Sequence, residues 1–196
     1  MEIKKLANNA LNFSINRFIE ILAMVIVLCG IFVFTSLISY SPDDPNFIFP
    51  DNTKINNLLG FRGSFTADLF FQSFGLISFL VPLSLIFTGI NIFRNKMILL
   101  ILGSLFYSLL YSLIGSLFFS FFHSETFKLY VNGNGGFVGK YLETTFLINL
   151  ININSQFFYF LLIFIISVLF LISIQFKVNS FYLFTKKFFN FHKLMN

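Results

Sequence analysis

MILLILGSLFYSLLYSLIGSLFFSFF, residues 97–122, carries no charged side chain, and its reading decides the fold class. A helix needs roughly 20 apolar residues to cross a bilayer, and this run exceeds that. Hydrocarbon offers no water to the backbone, so a crossing segment must satisfy its own peptide groups as a helix. Serine recurs at every fourth position, at Ser104, Ser108, Ser112, Ser116 and Ser120, with Gly103 and Gly115 among them. Residues four apart share one helical face. Small side chains on that face admit a second helix, and their hydroxyls can bond across the contact. The alternative is a polar stripe lining a solute path in a small-solute transporter or channel.

Three further apolar runs flank this one, at about 18–40, 69–93 and 157–176. The expected fold is therefore an all-α integral membrane protein with four transmembrane helices. Composition agrees. Of 196 residues, 57% are hydrophobic and 11% charged, and Phe alone occupies 33 positions. Soluble domains carry about 25% charged residues, so lipid must solvate much of this surface. The first run is too long for a cleaved leader and lacks a small-residue cleavage site, which reads as a retained anchor. Cys29 lies inside it and is expected to be a buried, inert thiol.

Four crossings place both termini on one side. The arm 1–17, the link RNK (94–96) and the tail 177–196 then share a face holding nine basic residues: Lys4, Lys5, Arg17, Arg94, Lys96, Lys177, Lys186, Lys187 and Lys193. The opposite loops, 41–68 and 123–156, hold four: Lys54, Arg62, Lys128 and Lys140. The excess of Lys and Arg marks the cytoplasmic side, so both termini are expected there. The basic, aromatic tail is expected to lie on anionic lipid rather than on DNA. His123 and His192 fall on opposite faces, which excludes a shared metal site.

Charge inside the spans would point to transport. Glu20 and Asp68 sit at span ends, and Gln72, one turn from Asp68, is neutral. Pro82 falls within the second span, lacks an amide donor and is expected to kink it. Gly75, Ser78 and Gly89 offer small contact residues there. Ser64 or Thr66 is expected to cap the second span, with Asp68 in its first turn. In SYSPDDPNF (39–47), Pro42 and Pro45 bar helix continuation, and Asp43 or Asp44 can accept from nearby backbone amides. Two adjacent Asp fall short of the six to eight oxygens that calcium requires.

GNGGFVGKY (133–141) imitates a phosphate-binding loop, but its spacing fails. Asn134 stands where the first glycine of a P-loop belongs, and Tyr141 stands where a small hydroxyl must reach Mg²⁺. A dinucleotide fingerprint on Gly133 and Gly135 would need glycine at Val138. A glycine turn into a helix remains. The following KYLETTFLINL (140–150) is too short to span and fits an interfacial or re-entrant helix before the fourth crossing, with Gly135 and Gly139 on its contact face.

Taken in order, SYSPDDPNF, NLLGFRGSFTADLFFQSFG with LVPLSLIFTG after it, and GNGGFVGKYL resemble the N-terminal membrane region of FtsK/SpoIIIE-type DNA translocases over roughly residues 14–180. Asp44-Pro45, Asn57, Gly60, Gly63, Ala67-Asp68, Gln72, Gly75, Gly135, Gly136 and Gly139 fill the family's pattern, and Ser64 departs from its usual Ala. The resemblance implies a four-helix anchor at the division septum of a bacterial inner membrane, with a linker and a hexameric ATP-driven motor in full-length members. The expected role is anchoring and septum targeting by binding, with no catalysis, cofactor or metal in this chain. Implied partners are the lipid bilayer, other division-site membrane proteins and further copies of itself. DNA and ATP would be engaged only through a motor domain, and no Gly-x-x-x-x-Gly-Lys-Ser/Thr motif occurs in the 196 residues.

Overall fold

A computed structural model describes residues 2–45, 54–124 and 132–176. These form α1 (Glu2–Ile38), α2 (Gly60–Phe74), a 3₁₀ turn (Gly75–Phe79), α3 (Leu80–Asn95), α4 (Leu100–Phe122), α5 (Gly136–Glu143), α6 (Leu147–Ile153) and α7 (Ser155–Ser173). Four stretches are long and apolar enough to cross a membrane: Asn8–Ile38, Gly60–Asn95, Leu100–Phe122 and Ser155–Ser173. The chain is an all-α, multi-pass membrane protein. The expected placement of Lys177, Lys186, Lys187, His192 and Lys193 lies outside the described residues.

Helix bounds depart from the sequence reading where apolar composition conceals a break. Residues assigned to an N-terminal arm are helical and continue into the first crossing without interruption. The second stretch is broken at Gly75, where φ is 71° and ψ is −146°. Leu76 N–H donates to Asn134 O at 2.9 Å instead of to its own helix. Ser78 Oγ reaches back eight residues to Phe70 O at 2.9 Å, a reach that a straight helix forbids. The 5-residue turn and the 16-residue α3 together rise about 34 Å, enough for a hydrocarbon core of about 30 Å. Gly75–Asn95 is thus long enough to cross by itself, and Leu69–Phe74 belong to the separate helix α2.

Three local expectations fall with this shift. Pro82 is the third residue of α3, and the break in the stretch falls seven residues before it, at Gly75 with its positive φ. Because α2 begins at Gly60, Ser64 and Thr66 are interior and cap nothing. Asp68 likewise stands beyond the first turn. The single interfacial helix expected before the fourth crossing is two, α5 and α6, separated at residues 144–146. Cys29 is exposed on the uncovered face of α1 rather than buried.

Two close contacts hold the crossings together. Ile19, Ala23 and Ile26 of α1 bury against Ile92 of α3. A methyl group on Gly89 would lie 2.6 Å from Val27 Cγ2 and 2.9 Å from Ala23 O, so α1 and α3 touch almost backbone to backbone. A second core joins Ile77, Tyr111, Leu117 and Phe118 to Leu162 and Ile166 of α7. Ser84 Oγ bonds Tyr111 OH at 3.0 Å and also Ser173 Oγ, tying α3, α4 and α7 at one point.

All five serines of the α4 column are buried, and they meet different elements. Thr88 Oγ1 of α3 donates to Ser104 Oγ at 2.6 Å. Ser116 Oγ bonds Phe74 O at the end of α2 at 2.9 Å. Ser116 and Ser120 lie directly beneath Gly135 and Gly139, where a methyl group on Gly139 would come 2.5 Å from Ser116 O. Ser116 Oγ also bonds Ser112 O within α4 at 2.7 Å.

Candidate functional site

The two ends of the bundle differ in chemistry. At one end Glu20 accepts from Arg17 at 2.6 Å and from Lys96 at 2.5 Å, and Lys96 Nζ sits 4.4 Å from the centre of the Phe93 ring. Gln175 Nε2 donates to Leu100 O at 3.2 Å and Asn91 Nδ2 to Ile174 O at 3.0 Å, which brings the end of α7 to the same place. From Glu20 to Ser39 along α1 the rise is about 28 Å, close to a hydrocarbon thickness. At that opposite end a polar clasp joins three segments separated in sequence.

Asn57 is the centre of the clasp and is buried. Its Nδ2 donates to Ser36 O at 2.9 Å and Ser39 O at 3.2 Å, two carbonyls that the end of α1 would otherwise leave unpaired. Its Oδ1 accepts from Leu59 N at 3.1 Å, and its carbonyl accepts from Gly60 N at 2.9 Å where α2 starts. Asp44, also buried, accepts from Asn56 N at 2.7 Å through Oδ1 and from Asn57 N at 2.8 Å through Oδ2. Those amides are twelve and thirteen residues on, so Asp44 closes a long loop rather than a local turn. Ser64 Oγ donates to Pro45 O at 3.0 Å, which fastens the loop to α2. A methyl group on Gly63 would overlap Asn57 Oδ1, so the amide lies flat on the helix only because the residue there is glycine.

The other half of the clasp joins α2 to the segment before α5. Gln72 accepts from Asn132 N at 3.3 Å through Oε1, and Gln72 O accepts from Asn132 Nδ2 at 3.3 Å. Asn134 is buried, and its Nδ2 donates to His123 O at the end of α4. Gly75 leaves room for the Asn134 carbonyl, which a methyl group would strike. Gly136, with φ of 65°, lies against the Ser73 backbone at a point where a methyl group would approach to 2.6 Å. Asp68 joins the halves: its Oδ1 accepts from Gln72 Nε2 at 3.3 Å and from Tyr40 OH at 3.5 Å.

Asp68 and Gln72 form the floor of a cleft of about 410 Å³ between α2 and α5, with Phe65, Leu69, Ser73, Asn132 and Phe137 around it. Asp44, Asn57, Gly63, Asp68, Gln72, Gly75, Gly135, Gly136 and Gly139 thus gather at one end of the bundle. Gly60 begins α2 with φ of 64°, and a methyl group there would meet nothing within 4 Å. Sequence reasoning missed Tyr40, Ser36, Asn132, Asn134, Thr88, Ser84 and Tyr111. Asn134 entered it only as the residue that breaks phosphate-loop spacing. The available signal was polarity itself, since a buried amide in so apolar a chain demands a partner. Among the described residues no three His, Cys, Asp or Glu side chains come together to hold a metal.

A family model described as the 4TM region of DNA translocase FtsK/SpoIIIE matches residues 16–182. The chain belongs to this family. The DNA translocase FtsK of Rickettsia bellii (strain RML369-C) is 33% identical over 87 residues, covering 43% of this chain and 12% of that protein. The DNA translocase FtsK of Rickettsia prowazekii (strain Madrid E) is 31% identical over 87 residues, with the same 43% and 12% covered. That of Rickettsia typhi (strain ATCC VR-144 / Wilmington) is 31% identical over 77 residues, 39% of this chain and 10% of the relative. The matched segments thus amount to about a tenth of these relatives' lengths. No solved structure matches. As an FtsK/SpoIIIE 4TM region the chain is a membrane-anchoring domain of the translocase family and not its motor.

Proposed function

We propose that this membrane module targets its protein to the division septum by binding other membrane proteins and further copies of itself, without catalysis in these residues. The observation that supports this reading is the clasp. The family's polar and glycine positions bond and pack against one another as a scaffold, and Leu69 and Phe137 beside it are exposed. A scaffold of this kind presents a surface rather than a reaction centre. The clasp end faces away from the cytoplasm, and both termini lie inside, because Arg17, Arg94 and Lys96 gather at the other end. DNA and ATP would be engaged through a motor domain elsewhere in the protein. The α4 serines support helix packing over a solute path, since Ser104 and Ser116 bond neighbouring helices.

Imaging of a fluorescently tagged chain in dividing cells is the test. A mid-cell band is expected, and uniform membrane fluorescence would refute septum targeting. Sidedness is tested separately with cysteine reagents that do not cross the inner membrane. They should modify a cysteine placed at the exposed Thr144 in intact cells and spare one at Asn95.

A further inference from the structure

The cleft between α2 and α5 combines features that the clasp does not require. Asp68 is 5% exposed, yet no Lys or Arg lies within ion-pair distance of it among the described residues. Its two hydrogen bonds, from neutral donors at 3.3 and 3.5 Å, are longer than the usual range of about 2.7–3.2 Å for N–H and about 2.5–3.0 Å for O–H donors. Both bonds fall on Oδ1, and Asp68 lines the cleft. A buried carboxylate without a cation is costly, and the cost is relieved when a cation enters. Above this floor the walls are apolar: Leu69 is 56% exposed and Phe137 63% exposed, with Phe65 beside them. An anionic floor under aromatic walls is complementary to a long side chain with an apolar stem and a cationic head.

We propose that this cleft is the docking site for a Lys or Arg side chain, flanked by an aromatic or aliphatic residue, on a segment of a partner protein. This rests on the binding role proposed above and names the site and the chemistry of that role. The cationic head would meet the Asp68 carboxylate, and its stem and apolar neighbour would cover Leu69 and Phe137. Such a pair desolvates two charges together, which gives register and specificity to the contact.

The test is in-cell photocrosslinking with a benzophenone amino acid at Leu69 of the full chain, followed by mapping of the adduct peptide. The adduct is expected on a second protein, within a few residues of a Lys or Arg. Asp68→Asn keeps the size and the acceptor for Tyr40 and Gln72, and should lower the yield tenfold or more. Phe137→Ser, on an exposed wall, should lower it as well in a chain whose folding it cannot disturb. Exchanging charges, with Asp68→Arg here and the mapped cation changed to Asp in the partner, should restore the adduct. Adducts confined to lipid or to the same chain would overturn the proposal, as would a yield indifferent to both variants. Mid-cell imaging of the same cells separates the two readings. A septal band with no cation-dependent adduct removes this inference alone, whereas no septal band in the wild type removes the role on which it rests.

Discussion

Replacing Asn57 tests the clasp most directly. Asn57→Ala removes the donors to Ser36 O and Ser39 O and the acceptor of Leu59 N. At about 1 kcal/mol net for each bond, the loss is about 3 kcal/mol, more if the Ser36 carbonyl finds no water. Ser36 is fully buried, so that carbonyl has little access to solvent. Asn57→Asp preserves shape and keeps the Leu59 bond, but it turns a donor into a charged acceptor facing two carbonyls at 2.9 and 3.2 Å. Asp44 adds a second carboxylate bound to the same backbone. The near-isosteric change should therefore cost more than the truncation, by about 1–2 kcal/mol. The assay is thermal unfolding of the detergent-solubilised chain by circular dichroism, with hydrogen exchange at Leu59 and Gly60 as the local probe. An Asn57→Asp protein as stable as wild type would refute the assignment of Asn57 as the α1 cap.

Gly63→Ala should expel the Asn57 amide, so its cost and that of Asn57→Ala should fall well short of adding; strict additivity in a double-mutant cycle would show that the two do not touch. Gly75→Ala forces a backbone conformation that side chains resist by about 1–3 kcal/mol and drives a methyl into the Asn134 carbonyl. It should separate α2 from α5 and expose the loop end to protease, whereas Gly103→Ala, with nothing within 4 Å, should leave stability within about 0.5 kcal/mol. Ser84→Ala breaks the joint between Tyr111 and Ser173 and should lower stability by about 1 kcal/mol in bilayer-reconstituted protein, since interhelical bonds in membranes average about 0.6 kcal/mol each. A Ser84→Ala protein at wild-type stability would remove that joint from the account.

Legibility followed physical scale. The crossings were legible because bilayer thickness acts on runs of about 20 residues, and composition over such a window is unambiguous. The break inside the second stretch was not. PheThrAlaAspLeuPhePhe, at 65–71, is as apolar as much of the span it precedes, and nothing in its composition announces that it lies before the bend at Gly75. The glycines could be read as places of close approach, but not what approaches them. Gly63 lies under an amide six residues earlier, and Gly75 under a carbonyl fifty-nine residues later.

By itself, then, the sequence determined that this protein crosses a membrane with four helices, because hydrocarbon leaves a backbone of that length no other way to pair its peptide groups. Tertiary structure alone decided which polar groups find one another. Asp44, Asn57, Gln72 and Asn134 each bond a segment distant in sequence, whatever local bonds they also make. Only when α1, α2 and α5 converge does burial strip water from these groups and leave each bond partner to be supplied by a distant segment.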